Sequence, residues 1–379
     1  MDYYVLLTGG KNNAGDFLIK HRAKKLLKEL RPDREFKDFN AWEPFDEEKL
    51  EIVNNSKGLI LTGGPALQSN IYPGIYKLTT DLSKIKVPIV SLGIGWKSAS
   101  GDWEDINKYK LNKSSLPLIK RLAESGYTSS VRDYHTMHVL QNYGVDNVSM
   151  TGCPALYDLD SIGKPINVDT IDKINFSLGV GFMHSKNMER SVKDMLIKLK
   201  DHFSDKKISV KFHHSIDKKF LNTPDASSKL YQNNVRFSKW LESVGIDYED
   251  ISGSAQNLID SYTNADFHIG YRVHAHIFMS SISKPSILIA EDGRGKGLRA
   301  LLGGIIFDGF TDRNDSFIDK VIDKVGIPRD RFEVDDNLSQ LLLRTLDSEI
   351  ENGMPRLKSV RSNIDLHFEV MKSFIKQLP

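Results

Sequence analysis

The chain has 379 residues, 40% of them hydrophobic and 27% charged, an ordinary balance for a globular protein and too much chain for one core, so two domains are expected. A formal net charge of +2, with 52 basic residues dispersed and no run of one sign, gives no electrostatic argument for a nucleic-acid partner. Cys153 is the only cysteine, which excludes an intramolecular disulfide and argues against a cysteine-based metal site.

The start, Met1-Asp-Tyr-Tyr-Val-Leu-Leu-Thr-Gly-Gly10, lacks the basic opening and long apolar run of a signal peptide. No apolar stretch is long enough to cross a bilayer, and a reducing cytoplasm is the expected location. From there the pattern is strand, glycine loop, helix. Tyr3 to Thr8 reads as a strand, Gly9 to Asp16 as a Gly/Asn loop, and Phe17 to Leu30 as a helix with Leu18, Ala23, Leu26, Leu27 and Leu30 apolar. Lys57 to Thr62 is a second strand, ahead of Gly63-Gly64-Pro65. Pro88 to Leu92 is a third, ahead of Gly93-Ile-Gly95. Tyr127 to Val131 is a fourth, followed by Arg132-Asp133 and a helix to Tyr143. Asn147 to Met150 is a fifth. Strands alternating with helices imply a parallel sheet covered on both faces.

Asp158 to Asp172 is polar, holds Gly163 and Pro165, and reads as a linker. The pattern then restarts. Strands are expected at Phe176 to Gly181, Ile208 to Phe212, Phe267 to Tyr271, Ser286 to Ala290 and Ile305 to Phe307, with a helix over Ser254 to Tyr262. Asp217 to Val235, charged and Asn-rich, reads as an insertion or an acceptor loop. In the tail, Leu357, Val360, Ile364, Phe368, Met371 and Ile375 share one helical face, which must pack on something. The expected division is residues 1–160, 161–345 and a terminal helix in 346–379.

Asp266-Phe-His-Ile-Gly-Tyr-Arg-Val-His-Ala-His276 is the most informative stretch. Its alternation gives way to helical spacing at His274, so Arg272 and His274 lie where a strand hands over to a helix. Ligands of open α/β sheets bind at that edge. A guanidinium and an imidazole there can offer an anion clamp and a proton carrier. The plainer alternative is that Arg272 pairs with a carboxylate and His274 caps the helix. Arg132 lies at a comparable strand end. Asp16 and Asp133 are expected as helix caps. His268 reads as a hydrogen-bonded core residue, and His135 and His138 as helix surface. His213 and His214 end a strand without any third ligand at metal-binding spacing, so no metal is expected. None of the glycine turns matches Gly-x-x-x-x-Gly-Lys-Ser/Thr or a clean Gly-x-Gly-x-x-Gly, against a nucleotide hydrolase and a dehydrogenase.

As an ordered set these pieces resemble the polysaccharide pyruvyl transferase family over roughly residues 1 to 300. The features are Asn13-Ala-Gly-Asp16, Gly63-Gly-Pro-Ala-Leu67, Ser91-Leu-Gly-Ile-Gly95, Val131-Arg-Asp133, Gly152-Cys-Pro154, Ala265-Asp266 through Gly270-Tyr-Arg-Val-His274, and Lys284-Pro-Ser-Ile287. The resemblance implies an α/β, GT-B-like fold, two facing Rossmann-type domains with an acceptor side and a donor side. It implies transfer of a pyruvyl group from phosphoenolpyruvate to sugar hydroxyls as a ketal, with no cofactor besides that co-substrate. It assigns His274 as general acid/base and Arg132 and Arg272 to the donor. The family's next basic position, often a lysine, falls on Arg294, with Lys296 in reserve. Asp16, Gly64 and Gly95 are the expected acceptor or loop contacts. The acceptor would be a polysaccharide sugar or a lipid-linked oligosaccharide, compatible with loose association at the inner membrane face. The rival readings are a GT-B glycosyltransferase using a nucleotide sugar and a non-catalytic glycan-binding protein of the same fold.

Overall fold

A computed structural model describes all residues except 10–13, 99–100, 168–169, 224–226 and 313–331. Two parallel sheets carry the architecture. In the first, β1 (Tyr3–Thr8) lies between β2 (Glu35–Asn40) and β3 (Gly58–Thr62), and β4 (Ile89–Leu92) follows β3. The pair β5 (Ser129–Val131) and β6 (Val148–Met150) extends this sheet. A parallel bridge joins Ile94 to Val131, and the Gly93 N–H donates to the Ser130 carbonyl at 3.0 Å. The order is therefore β2-β1-β3-β4-β5-β6.

The second sheet holds β7 (Lys173–Ser177), β8 (Lys207–Phe212), β9 (Asp247–Asp250), β10 (Phe267–Gly270), β11 (Ser286–Ala290) and β12 (Ile305–Asp308). Its order is β9-β8-β7-β10-β11-β12, parallel throughout. Counted from its own first strand this is 3-2-1-4-5-6, the order of a doubly wound dinucleotide-type fold.

Sequence explains the central strands and not the edges. Every residue of β3, β4, β10 and β11 is buried, as helix-covered parallel strands require. β2 and β9, the outermost strands, are charged and largely exposed, so they carry no apolar pattern to betray them. β7 begins at Lys173 and ends at Ser177, not Gly181, because Val180 and Gly181 send their N–H groups to a side chain instead of a neighbouring strand. The expected insertion at 217–235 is also corrected. Ser228–Ser243 is a helix that buries Phe237 and Leu241 and crosses over between β8 and β9. Its apolar face starts beyond the Asn-rich part, which hid it.

The described part of the 158–172 connection is tied down. Asp158 pairs with Arg22, the Gly163 N–H donates to Asp365 at 3.1 Å, and Ser283 donates to the Lys164 carbonyl at 2.8 Å. Near the end, Leu338–Glu351 packs on the helix Lys186–His202 of the second half. Past Gly353, the helix Pro355–Lys376 places Leu357 in the second core but Val360, Ile364, Phe368, Met371, Phe374 and Ile375 in the first. The helix Val273–Ser281, which follows β10, is buried along its whole length and also contributes to the first core. The two halves therefore meet through apolar packing. No helix among the described residues is long and apolar enough to cross a membrane.

Ile364 is fully buried in the helix that spans both cores. Ile364→Ala is expected to cost about 2–5 kcal/mol, read as a lower midpoint in urea denaturation.

Candidate active site

Strand order reverses between β1 and β3 in the first sheet and between β7 and β10 in the second. The loops beyond these switch points face each other. The helix Ala14–Leu30 follows β1, and a Cβ added to its Gly15 would lie 2.0 Å from His274 Nδ1. Only a glycine lets that first turn approach the second half so closely. Nearby, the Gly293 N–H donates to the Ser98 carbonyl at 3.1 Å, and Gly101 lies against Gly293.

Arg132 leaves the end of β5 with its N–H on the Ile94 carbonyl at 2.8 Å. Its side chain is only 2% exposed and lies across Gly95, where a Cβ would sit 2.2 Å from Cζ. Nε donates to Asp133 at 3.2 Å. Asp133 caps the helix Tyr134–Gln141, accepting from the Thr136 N–H at 2.8 Å and from its hydroxyl at 2.7 Å, as its residue type implied. Gly95 thus serves as the floor on which the Arg132 guanidinium rests.

From the second half, Arg272 occupies the N-cap position of Val273–Ser281 without capping it by its side chain. Its backbone N–H donates to Ser177 Oγ at 2.9 Å and its Nε to the Leu178 carbonyl at 2.7 Å. Those bonds fix its backbone and Nε, and Glu291 is the foremost opposing charge acting on it. Arg294 follows β11 and is gripped by Asp292, Nε to both carboxylate oxygens at 3.0 Å and Nη2 to Oδ2 at 2.7 Å. Asp292 also caps the helix Gly293–Leu302.

These groups all act electrostatically on His274. Burial pushes its imidazole down to about 3, and the charges acting in the same direction are Arg294, Arg132 and Arg272, opposed by Asp292. His274 is therefore held in its neutral form at neutral pH. It does not cap its helix. Lys296 goes elsewhere: its Nζ pairs with Asp102 at 2.6 Å, linking the two halves at the rim. Arg294, not Lys296, is among the charges that act on His274.

Asp16 sits in the first turn of a helix that begins at Ala14, so it is not the N-cap its position suggested. It acts electrostatically on Arg294. With Thr8, Gly64 and Gln68 it lines a cavity of ≈ 190 Å³ beyond β1 and β3. Gly64, at φ +75°, lies against the Asp16 carboxylate, with Oδ1 3.6 Å from an added Cβ.

Sequence reasoning passed over Glu291. Its carboxylate accepts the Val180 N–H at 3.0 Å and the Gly181 N–H at 2.6 Å. Burial raises its pKa, while Arg272 and those N–H groups oppose the rise. The stretch Glu291-Asp-Gly-Arg-Gly-Lys-Gly297 drew notice only for its cations. Ser177 was also missed. It holds the Arg272 N–H and His268 Nε2, the latter at 2.8 Å, while His268 Nδ1 meets Ser286 at 2.7 Å. His268 is thus the hydrogen-bonded core residue expected. His135, expected on a surface, is buried and stacks on Trp103 with ring centres 4.4 Å apart. Among the described residues no group of three or more His, Cys, Asp or Glu side chains is arranged to hold a metal ion.

Two parallel-sheet halves with opposed switch points define a GT-B-like molecule, here with three arginines acting on one buried histidine. The polysaccharide pyruvyl transferase family model matches residues 13–293, and the chain belongs to that family. A Listeria monocytogenes protein described as a UDP-N-acetylglucosamine 2-epimerase is similar in structure at 10% identity and TM-score 0.54, covering 98% of this chain and 94% of that one. The Methanocaldococcus jannaschii UDP-GlcNAc 2-epimerase, in complex with UDP-GlcNAc and UDP, gives 12% identity and TM-score 0.47 over 92% of this chain and 100% of its own. At 10% identity the Listeria likeness speaks for the fold alone. No protein of curated function matches the chain significantly.

Five histidines, His213, His214, His268, His274 and His276, are held below their ordinary pKa of 6.5, mainly by burial. Below pH 6.5 the unfolded chain takes up protons that the folded protein refuses. Stability is therefore full above that pH and is lost as pH falls, at about 1.4 kcal/mol per pH unit for each such group. Urea midpoints at pH 7.5, 6.5 and 5.5 should fall steeply over the last step; a flat profile would contradict the neutral, buried histidines.

Proposed function

We propose that the protein transfers the pyruvyl group of phosphoenolpyruvate to hydroxyls of a polysaccharide sugar or its lipid-linked precursor, forming a ketal. The observation that supports this reading is that Arg132, from one half, and Arg272 and Arg294, from the other, act together on the buried His274, whose ring lies against Gly15 of the first half. Phosphoenolpyruvate carries a carboxylate and a phosphate on one small frame. Guanidinium groups bind both in forked geometry, better than ammonium groups do.

The chemistry follows from those groups. The donor's negative charge offsets the three guanidiniums and raises the His274 pKa, so that the imidazole gains a proton when the donor binds. His274 then protonates the enol methylene, leaving a cationic carbon that an acceptor hydroxyl attacks. Inorganic phosphate departs as a second hydroxyl closes the ring, and the two hydroxyl protons pass to His274 and to the leaving phosphate. The fixed arginines stabilise the charge that builds on the phosphate without reorganising. Asp16, in the cavity beyond β1 and β3, is the candidate contact for the acceptor. A lipid-linked acceptor would bring the protein to a membrane face.

The rival is a glycosyltransferase using a nucleotide sugar, which would share this architecture. A thermal-shift screen separates the two. Stabilisation by phosphoenolpyruvate and none by UDP- or GDP-sugars is expected, and the reverse would favour the rival. His274→Ala should lose roughly 100- to 10,000-fold in phosphate release while still binding donor. Full turnover by that variant removes His274 from the mechanism. Gly95→Ala should fold but displace the Arg132 guanidinium, weakening phosphoenolpyruvate binding on the order of tenfold or more in calorimetry, the loss of one charge-assisted contact. Unchanged affinity would show that Arg132 does not touch the donor.

A further inference from the structure

In a doubly wound half, the turn after the first strand usually presents its N–H groups to a phosphate. In the second half that turn is Leu178-Gly-Val-Gly181, beyond β7. Two of its N–H groups are already taken. Those of Val180 and Gly181 donate to the two oxygens of Glu291, at 3.0 and 2.6 Å. The cradle is shaped to that carboxylate. A Cβ on Gly179 would lie 2.0 Å from Glu291 Oε1, and one on Gly181 2.9 Å from the same atom.

Glu291 reaches the turn from the end of β11, on the far side of β10. Between them lies Arg272, which leaves the end of β10 and whose positive charge acts on Glu291. The mechanism above gives Glu291 no step. A second anion on this turn would have to displace a carboxylate that is hydrogen-bonded at both oxygens, and would meet its charge.

We infer that Glu291 is a specificity-determining residue, a built-in anion that closes the turn to diphosphates and restricts the cleft to one compact anion. A nucleoside diphosphate is refused because the protein has filled that subsite with its own side chain. Arg272 is left with its outer edge toward the compact donor. The inference deepens the proposed function, resting on it for the identity of that donor but not for the exclusion itself.

The test is calorimetric titration of the wild type, Glu291→Ala and Glu291→Gln with pyrophosphate, UDP and phosphoenolpyruvate. The wild type should bind phosphoenolpyruvate and show no saturable binding of pyrophosphate or UDP at millimolar concentration. Glu291→Ala bares two N–H groups and removes the repelling charge, so it should gain at least about tenfold in pyrophosphate and UDP affinity. Glu291→Gln keeps the shape without the charge and should gain in the same direction by less. Wild-type binding of UDP as tight as that of phosphoenolpyruvate would overturn the inference. So would two folded variants that bind pyrophosphate no better than the wild type. If neither variant folds, the wild-type titrations decide: refusal of both diphosphates supports the inference, and saturable binding of either overturns it. Absence of phosphoenolpyruvate binding by the wild type would count against the donor assignment alone, because the pyrophosphate comparison does not depend on it.

Discussion

Gathering like charges in a place short of water is the constraint on which this molecule turns. Arg132, Arg272 and Arg294 all act on one buried imidazole. Removing a guanidinium from water costs several kcal/mol unless it is paired and hydrogen-bonded. Each one is accordingly anchored, Arg132 on Asp133, Arg272 on the Leu178 carbonyl and beside Glu291, Arg294 on Asp292. The anchors hold part of each guanidinium, and the three charges add to burial, the larger cause, in keeping His274 neutral. Under the proposed function the donor's charge would oppose the pull of the three arginines and restore a proton to the imidazole, coupling donor binding to the availability of the acid.

Such a cluster needs support from outside itself. Arg132 comes from the first half and the other two from the second, so their spacing depends on how the halves meet. That interface is apolar. The helix Val273–Ser281, carrying His274, is buried in the first core, and the terminal helix runs from one core into the other. Two glycines let the polar groups come close. Gly15 leaves room for the His274 ring, and Gly95 for the Arg132 guanidinium. Apolar packing thus serves electrostatics by fixing where the charges lie.

How much of this could be read in the chain follows from which interactions are local. The central strands announce themselves because both faces are buried, as Leu59-Ile-Leu61 and Ile287-Leu-Ile289 illustrate. Asp133 is legible as a cap because its partner is three residues away. Arg272 and His274 stand out because a change of period marks a strand end. The edge strands at Glu35 and Asp247 escaped, since an exposed strand needs no apolar pattern. Glu291 escaped because its partners lie 110 residues or more away. The pKa of His274 and the pairing of Lys296 with Asp102 are likewise products of the meeting between halves. No local pattern encodes them.

The most direct measurement is a crystal structure of the protein with phosphoenolpyruvate bound. The account predicts one donor molecule between the halves, its phosphate and carboxylate oxygens within hydrogen-bonding distance of Arg132, Arg272 and Arg294, and its methylene carbon facing His274. Donor density confined to one half, out of reach of Arg132, or lying away from the His274 ring, would contradict it.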